Sequence, residues 1–308
     1  MDATLIMPTY NKLPRLRLTI SSLENQTYDK DRYEVIVVDD GSTDGTCQFL
    51  SELKSNVNFR IVRQDNNGRS SARNTGLSLA RGRLIIFTDD DLILSPSFIQ
   101  QHVSNNNCSL VLHGKIINIP YLKFFEDPSK GIFYSYLNKD TSSESKLTEK
   151  CISMEDIASS FQEKIASNTK ISSCEWAIRH ILTQGIESFS WMGFTGGNVS
   201  VSRKWLEIIG GFDTNFGLKW GCEDFELGYR LYKAGFPFGY GESAVNYHMA
   251  HYRPDMELQI KETLKFFYEK YHDPQILKLE NIINEKINKE NFLNEILEQS
   301  LQVEKKIN

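Results

Sequence analysis

Four short apolar runs constrain the fold more than any other feature: Thr4-Leu5-Ile6-Met7, Tyr33-Glu34-Val35-Ile36-Val37-Val38, Phe59-Arg60-Ile61-Val62 and Leu84-Ile85-Ile86-Phe87. Each has the length and the β-branched or aromatic content of a buried strand. The segments between them read as helices. Leu16, Leu18, Ile20 and Leu23 share one, which ends near Asn25-Gln26. Phe49, Leu50 and Leu53 mark the apolar face of the next, and Ser70 to Ala80 forms a third after the turn Asn66-Asn67-Gly68. Strands alternating with helices through short connections predict an α/β fold with a mostly parallel sheet covered on both faces. Ligands of such sheets sit beyond the carboxyl ends of the strands.

The loops at those ends are polar, and two of them are acidic. The fourth run enters Thr88-Asp89-Asp90-Asp91, the second enters Asp39-Asp40-Gly41-Ser42-Thr43-Asp44, and the first ends on Pro8-Thr9-Tyr10-Asn11. Neighbouring carboxylates repel, and each costs free energy to desolvate unless it is paired or bound to a metal. A solvated turn would account for one such loop. Convergence at one end of the sheet points instead to a divalent cation that also holds a diphosphate.

Composition narrows the partners. With 308 residues, 40% hydrophobic and 24% charged, the chain can bury a sizeable core. A net charge of −5 argues against broad nucleic-acid binding. No stretch reaches membrane-spanning length, and the N-terminus lacks a signal-peptide pattern. Five cysteines without tight spacing fit a reducing compartment, so the cytoplasm is the expected location.

Ser109 to Ile117 reads as another strand. Residues 119–190 read as a helical insertion, with Ile157, Phe161 and Ile165, then Ala177 and Ile181, at helical spacing. Within it, Asn138 to Lys150 is polar and reads as a loop. The insertion is either structural filler or part of substrate recognition. Regular signals return at Trp191 to Asn198, where Gly196-Gly197 allows a tight backbone path or close approach to a ligand. Val199-Ser200-Val201 is a strand and Lys204 to Ile209 a short helix. Trp220-Gly221-Cys222-Glu223-Asp224 then leads into an amphipathic helix, Phe225 to Ala234, closed by Gly235. Capping and the helix dipole explain one acid there; two acids after Trp-Gly look more like a site. His248 and His251 follow, and one of them is a candidate metal ligand. Two apolar stripes, Ile260, Leu264 and Phe267 and then Phe292, Ile296, Leu297 and Leu301, predict a helical extension over 253–308. It could pack on the domain, form a homodimer or touch a membrane surface peripherally.

Five of these motifs, in this order, carry a resemblance: Met7-Pro8-Thr9-Tyr10-Asn11, Val38-Asp39-Asp40-Gly41-Ser42-Thr43-Asp44, Ser71-Ala72-Arg73-Asn74-Thr75-Gly76, Asp89-Asp90-Asp91 and Glu223-Asp224. From Met1 to about Tyr252 the chain resembles the large inverting family of nucleotide-sugar glycosyltransferases that includes the cellulose, hyaluronan and chondroitin synthases. Trp220 to Asp224 is also similar to the C-terminal catalytic segment of polypeptide N-acetylgalactosaminyltransferases and β-1,4-galactosyltransferases. The resemblance implies a GT-A (Rossmann-like) domain over 1–252, with a nucleotide-binding half at 1–118 and an acceptor and catalytic half at 191–252. It implies a UDP-sugar donor, Mn²⁺ or Mg²⁺, and a hydroxyl acceptor on a glycan, a lipid-linked saccharide, a small molecule or a peptide.

Carried onto this sequence, the resemblance has Pro8 and Tyr10 line the nucleotide pocket and Asp40 accept the uracil N–H. Arg73 approaches the phosphates or base, Asp89 touches the ribose, and Asp90 belongs to the same nucleotide-binding set. Asp91 ligates the metal. The metal-binding histidine of the polypeptide N-acetylgalactosaminyltransferases lands on His248, which is therefore preferred to His251. Glu223 holds a sugar and Asp224 is the general base. A carboxylate suits that task, since the attacking hydroxyl must lose its proton as it reaches the anomeric carbon. The retaining N-acetylgalactosaminyltransferases have Asn where this chain has Asp224, which favours inversion. A nucleotidyltransferase would ordinarily carry a Gly-rich basic loop after the first strand, which Pro8-Thr9-Tyr10-Asn11 does not resemble. A non-catalytic carbohydrate-binding relative would not need Glu223-Asp224 intact.

Overall fold

A computed structural model describes residues 1–135, 150–167 and 169–284, together with Phe292 and Ile296. The four runs are strands β1 (Ala3–Thr9), β2 (Tyr33–Asp39), β3 (Phe59–Arg63) and β4 (Leu84–Thr88). Helices α1 (Leu13–Glu24), α2 (Thr46–Ser51) and α3 (Arg69–Leu79) connect them. Every residue of β1, β2 and β4 is buried, as a strand covered on both faces requires. Side chains alternate between two cores. Leu5, Met7, Val35, Val37 and Ile86 pack beneath α1 and α4 (Phe98–Asn105), whereas Ile6, Ile36, Val38, Ile85 and Phe87 pack beneath α3. Each such apolar side chain contributes roughly 1.5–3 kcal/mol by leaving water.

After β4 come β5 (Leu92–Leu94), β6 (Val111–Ile119) and a small hairpin, β7 (Phe125–Asp127) with β8 (Ile132–Phe133). Helices α5 (Met154–Ser159), α6 (Phe161–Lys164) and α7 (Ser173–Thr183) follow, then β9 (Asn198–Ser202), α8 (Arg203–Ile209), α9 (Glu223–Lys233) and β10 (Phe238–Met249). The eight-stranded sheet has the order β3-β2-β1-β4-β9-β6-β10-β5. Strands β1, β2, β3 and β4 are mutually parallel, as are β6 and β10; β9 runs antiparallel to both β4 and β6, and β5 antiparallel to β10. This is the mixed, mostly parallel sheet expected. Strand β10 was not legible beforehand: Gly239, Gly241 and a register break between Gly241 and Val245 interrupt its pattern.

The insertion and the extension share a core. Ile178 and Ile181 of α7, Phe225 and Tyr229 of α9, and Leu264 and Phe267 of α10 (Met256–Tyr271) surround Trp191, with Ile276, Leu279, Ile282, Phe292 and Ile296 behind. Trp191 meets Tyr229 and Phe267 edge-on at 5.6 and 5.9 Å. Packing on the domain is thus what α10 does. It also steadies the turn before α9: Gln259 Oε1 accepts from the Trp220 amide at 2.7 Å. Thr263 presses against Gly221, where a side chain would not fit. The polar stretch Asn138 to Lys150 lies outside the described residues apart from Lys150, as does the second tail stripe apart from Phe292 and Ile296. Among the described residues, no helix is long and apolar enough to cross a membrane.

Candidate functional site

The exit of β4, the start of α9 and the Thr195–Gly197 turn meet around one guanidinium. Arg73, on α3, is 1% exposed. It donates to Asp224 Oδ1 at 2.7 Å, Asp89 Oδ1 at 2.9 Å and Glu223 Oε1 at 3.3 Å. Burial works against its charge, but Asp224, Asp89 and Glu223 together raise its pKa. Asp224 also accepts at Oδ2 from the Gly196 amide, 2.9 Å away. Burial pushes the Asp224 carboxyl up to about 7 against the pull of Arg73, with Glu223 and Asp89 pushing the same way. Its side chain is 17% exposed, enough to reach a bound molecule. Glu223 takes a second cation, Arg69, at 3.3 Å, while its Oε2 is buried without a hydrogen-bond partner.

A second cluster lies beside the first. The donor atoms of Asp91, His248 and His251 fall within 4.8 Å of one another. His251 Nε2 is 3.0 Å and His248 Nε2 3.8 Å from Asp91 Oδ2. Second contacts fix the rings. His248 Nδ1 lies 3.1 Å from Asn118 Oδ1, and His251 Nδ1 3.2 Å from the Tyr252 carbonyl. Both partners accept, so in the neutral rings each Nδ1 carries the proton and each Nε2 turns a lone pair to Asp91. Burial holds His251 down to about 4, in that neutral form.

Burial would raise Asp91, but the Lys12 ammonium holds it well below the usual carboxylate range. Asp90 goes the other way: burial lifts it to about 6, and its Oδ2 accepts from Thr9 Oγ1 at 2.7 Å. Converging acceptors need a cation among them. Lys12 Nζ, 2.5 Å from Asp91 and 2.9 Å from His251, meets part of that need, and Arg253 approaches Asp91 to 3.8 Å. Arg253 and Arg69 flank the Trp220 ring at 4.6 and 5.7 Å, which joins the two clusters.

At the exit of β1, Pro8 is buried in the strand and Tyr10 is 44% exposed just beyond it. Asn11 clips the β1 and β2 exits together: its Oδ1 accepts from the Thr43 amide and its own amide donates to Ser42 Oγ. Asp40 is already well engaged. Oδ1 accepts from Gln64 Nε2 and the Asn67 amide, and Oδ2 from the Gly68 amide, which leaves Oδ2 one open acceptor position.

The structure therefore brings Arg73, Asp89, Glu223 and Asp224 into one cluster and Asp91, His248 and His251 into another, with both histidines at the aspartate. Lys12, Arg69, Arg253 and the Gly196 amide were not singled out from the sequence. Only the Gly196-Gly197 pair gave a signal; the basic residues sit among ordinary surface charges in the chain. The cavity between α7 and the Gly235–Phe238 turn lies apart from these groups.

The chain has the GT-A fold, with an acidic strand exit facing a carboxylate-imidazole cluster. Residues 4–107 match the family model described as Glycosyl transferase family 2, and residues 181–258 that described as N-terminal domain of galactosyltransferase. Among individual proteins, the chain is similar to chondroitin synthase of Escherichia coli, 32% identical over 256 residues that make up 80% of this chain. The chain spans about a third (34%) of that protein's own length. A crystal structure of S. aureus TarS in complex with UDP-GlcNAc shares the fold, with a TM-score of 0.54 and 18% identity, covering 88% of this chain and 66% of that one. So does the mannosyltransferase PcManGT from Pyrobaculum calidifontis in complex with GDP-Man and Mn²⁺, with a TM-score of 0.55 and 18% identity, covering 92% of this chain and 68% of that one.

Proposed function

We propose that the chain is a metal-dependent, inverting glycosyltransferase that moves a sugar from a UDP-sugar to a hydroxyl acceptor, with Asp224 as general base. The observation that carries the reading is the state of Asp224. It is a carboxylate tuned to about 7, held by Arg73 and the Gly196 amide, beside a separate cation-seeking cluster. A base poised near neutrality removes the acceptor's proton as the hydroxyl attacks from the face opposite the leaving group. Attack from that face inverts the anomeric centre.

Asp91, His248 and His251 would hold the metal, and two imidazoles beside one carboxylate suit Mn²⁺ better than Mg²⁺. Such an ion, when bound, neutralises charge on the departing diphosphate. Asp40, with one acceptor position open, and Tyr10 would meet the base of the nucleotide. Asp89 and Asp90 would stand near the ribose. Glu223 would accept from a sugar hydroxyl by turning its unpartnered, buried Oε2 outward. The UDP-GlcNAc held by the TarS structure and the similarity to a chondroitin synthase support a UDP-sugar as the donor.

The test is UDP release from a panel of UDP-hexoses and UDP-N-acetylhexosamines with Mn²⁺ present, for the native chain and Asp224→Asn. The substitution should abolish turnover while UDP still protects the protein against thermal unfolding. Turnover retained in Asp224→Asn removes Asp224 as base.

A further inference from the structure

A second set of polar side chains is buried away from the cleft, and the reading above gives it no task. His113, on β6, is fully buried, and Glu175, on α7, is 3% exposed. Tyr240, on β10, donates to Glu175 Oε1 at 2.6 Å, and Glu175 Oε2 faces His113 Nε2 at 3.0 Å. His113 Nδ1 faces the Gly193 carbonyl at 3.0 Å and Thr195 Oγ1 at 3.2 Å. A carbonyl only accepts, so Nδ1 carries a proton. A second proton lies on the Nε2–Oε2 axis, whichever partner owns it. Burying such a group is costly and demands a return in specificity or position.

The return lies at the far end of the relay. Gly193 and Thr195 open the turn whose next amide, Gly196, donates to Asp224 Oδ2. The turn's other side is fixed separately: Asn246 donates to the Gly197 carbonyl at 2.8 Å, and the Asn198 amide to the Thr195 carbonyl at 3.2 Å. His113 is thus the side-chain anchor on the Gly193 side. Glu175 in turn sets the ring of His113, as a carboxylate sets a catalytic imidazole elsewhere.

We propose that Glu175, acting through His113, is a positioning residue for transfer: it holds the Gly193–Thr195 segment so that the Gly196 amide fixes one orientation of the Asp224 carboxylate. This gives the insertion a task in the chemistry without contact with substrate. The inference rests on the reading of Asp224 as base.

The test compares Glu175→Ala, Glu175→Gln and Asp224→Asn in the full chain. The readouts are UDP release from UDP-sugars with Mn²⁺ across pH, and protection against unfolding by UDP with Mn²⁺. Glu175→Ala should lower kcat by about ten- to a hundredfold, the scale of a misplaced reacting group. The KM for the donor and the protection by UDP should not change. The acid limb of kcat should move to higher pH, because Asp224 loses an amide that favours its ionised form while Arg73, Glu223 and Asp89 still face it. Glu175→Gln should restore most of the rate, since its amide can donate to a neutral His113 and accept from Tyr240. If Glu175→Ala does not fold, Thr195→Val, which removes only the hydroxyl at His113, should lower kcat at unchanged UDP protection. A folded Glu175→Ala, or failing that Thr195→Val, with native kcat and acid limb overturns the proposal, as does loss of UDP protection in step with kcat. Turnover surviving in Asp224→Asn strikes the base assignment instead, so the two failures are told apart.

Discussion

Replacing Gly196 by alanine adds one methyl group at the point where Arg73 and Asp224 meet. The backbone there is outside the left-handed region, so alanine is tolerated conformationally. Space is the obstacle. The new Cβ would stand 2.5 Å from Arg73 Cζ and 2.8 Å from Asp224 Oδ1. Carbon atoms settle at about 3.5–4.0 Å, so the guanidinium must retreat by about 1 Å. Arg73 has nowhere open to go, being 1% exposed with carboxylates on three sides. Nη2, the guanidinium atom nearest the new Cβ, bonds Asp89, and Asp224 Oδ1 is pressed directly, so the bonds of Arg73 to both carboxylates are strained. Overpacking of this kind costs about 1–3 kcal/mol of stability. Misplacing a reacting group by about 1 Å costs about a hundredfold in rate.

Gly197→Ala is the matched control, because its Cβ meets nothing closer than Leu92 Cδ1 at 3.4 Å. The assay is UDP release under saturating donor, with thermal unfolding in parallel. Gly196→Ala should lose most of its kcat and Gly197→Ala little. Equal rates for the two variants would refute the assignment of the Arg73–Asp224 contact to catalysis.

Four further outcomes are expected. The acid limb of kcat/KM should fall near pH 7, because Asp224 is protonated below about 7 and cannot accept a proton there; activity must rise as pH rises through that value, and a profile flat down to pH 5 contradicts it. Arg73→Met should destabilise the fold by about 3–5 kcal/mol by leaving buried carboxylates uncompensated, and adding Asp224→Asn should recover part of the loss in a denaturant titration. Asn118→Ala frees the ring of His248 and should weaken Mn²⁺ binding about tenfold in a spin-resonance titration with UDP present. Ending the chain at residue 252 removes Ile260, Leu264 and Phe267 from the core, at roughly 1.5–3 kcal/mol each, a loss comparable to total stability, so the fragment should fail to give a cooperative melt.

The first four strands could be read from the sequence because their signals are local. Apolar runs such as Tyr33–Val38 and Leu84–Phe87 carry strand propensity and burial in the same few residues, and turn signals separate them. The acidic loops followed from the rule that ligands gather at carboxyl ends. What could not be read was non-local. Strand β10 gains its partner, β6, from more than a hundred residues upstream, and its glycines hide it. The resemblance gave Arg73 to the nucleotide, whereas its nearest charges are Asp89, Glu223 and Asp224, each contributed by a different element or turn from its own. Lys12 looks like any helix-start lysine until β4 and β10 bring Asp91 and His251 against it. Spacing preferred one histidine, while the fold puts both within reach of the same oxygen.

Strand β9 is stitched on both edges, to β4 on one side and β6 on the other. The two parts of the sheet, β1 to β4 and β6 with β10 and β5, are therefore one continuous plate. Swinging either half as a hinged jaw would tear a row of backbone hydrogen bonds, each worth about 0.5–1.5 kcal/mol net. Movement that leaves this sheet whole is confined to the segments beyond its strand ends, among them those of Lys12 and Arg253.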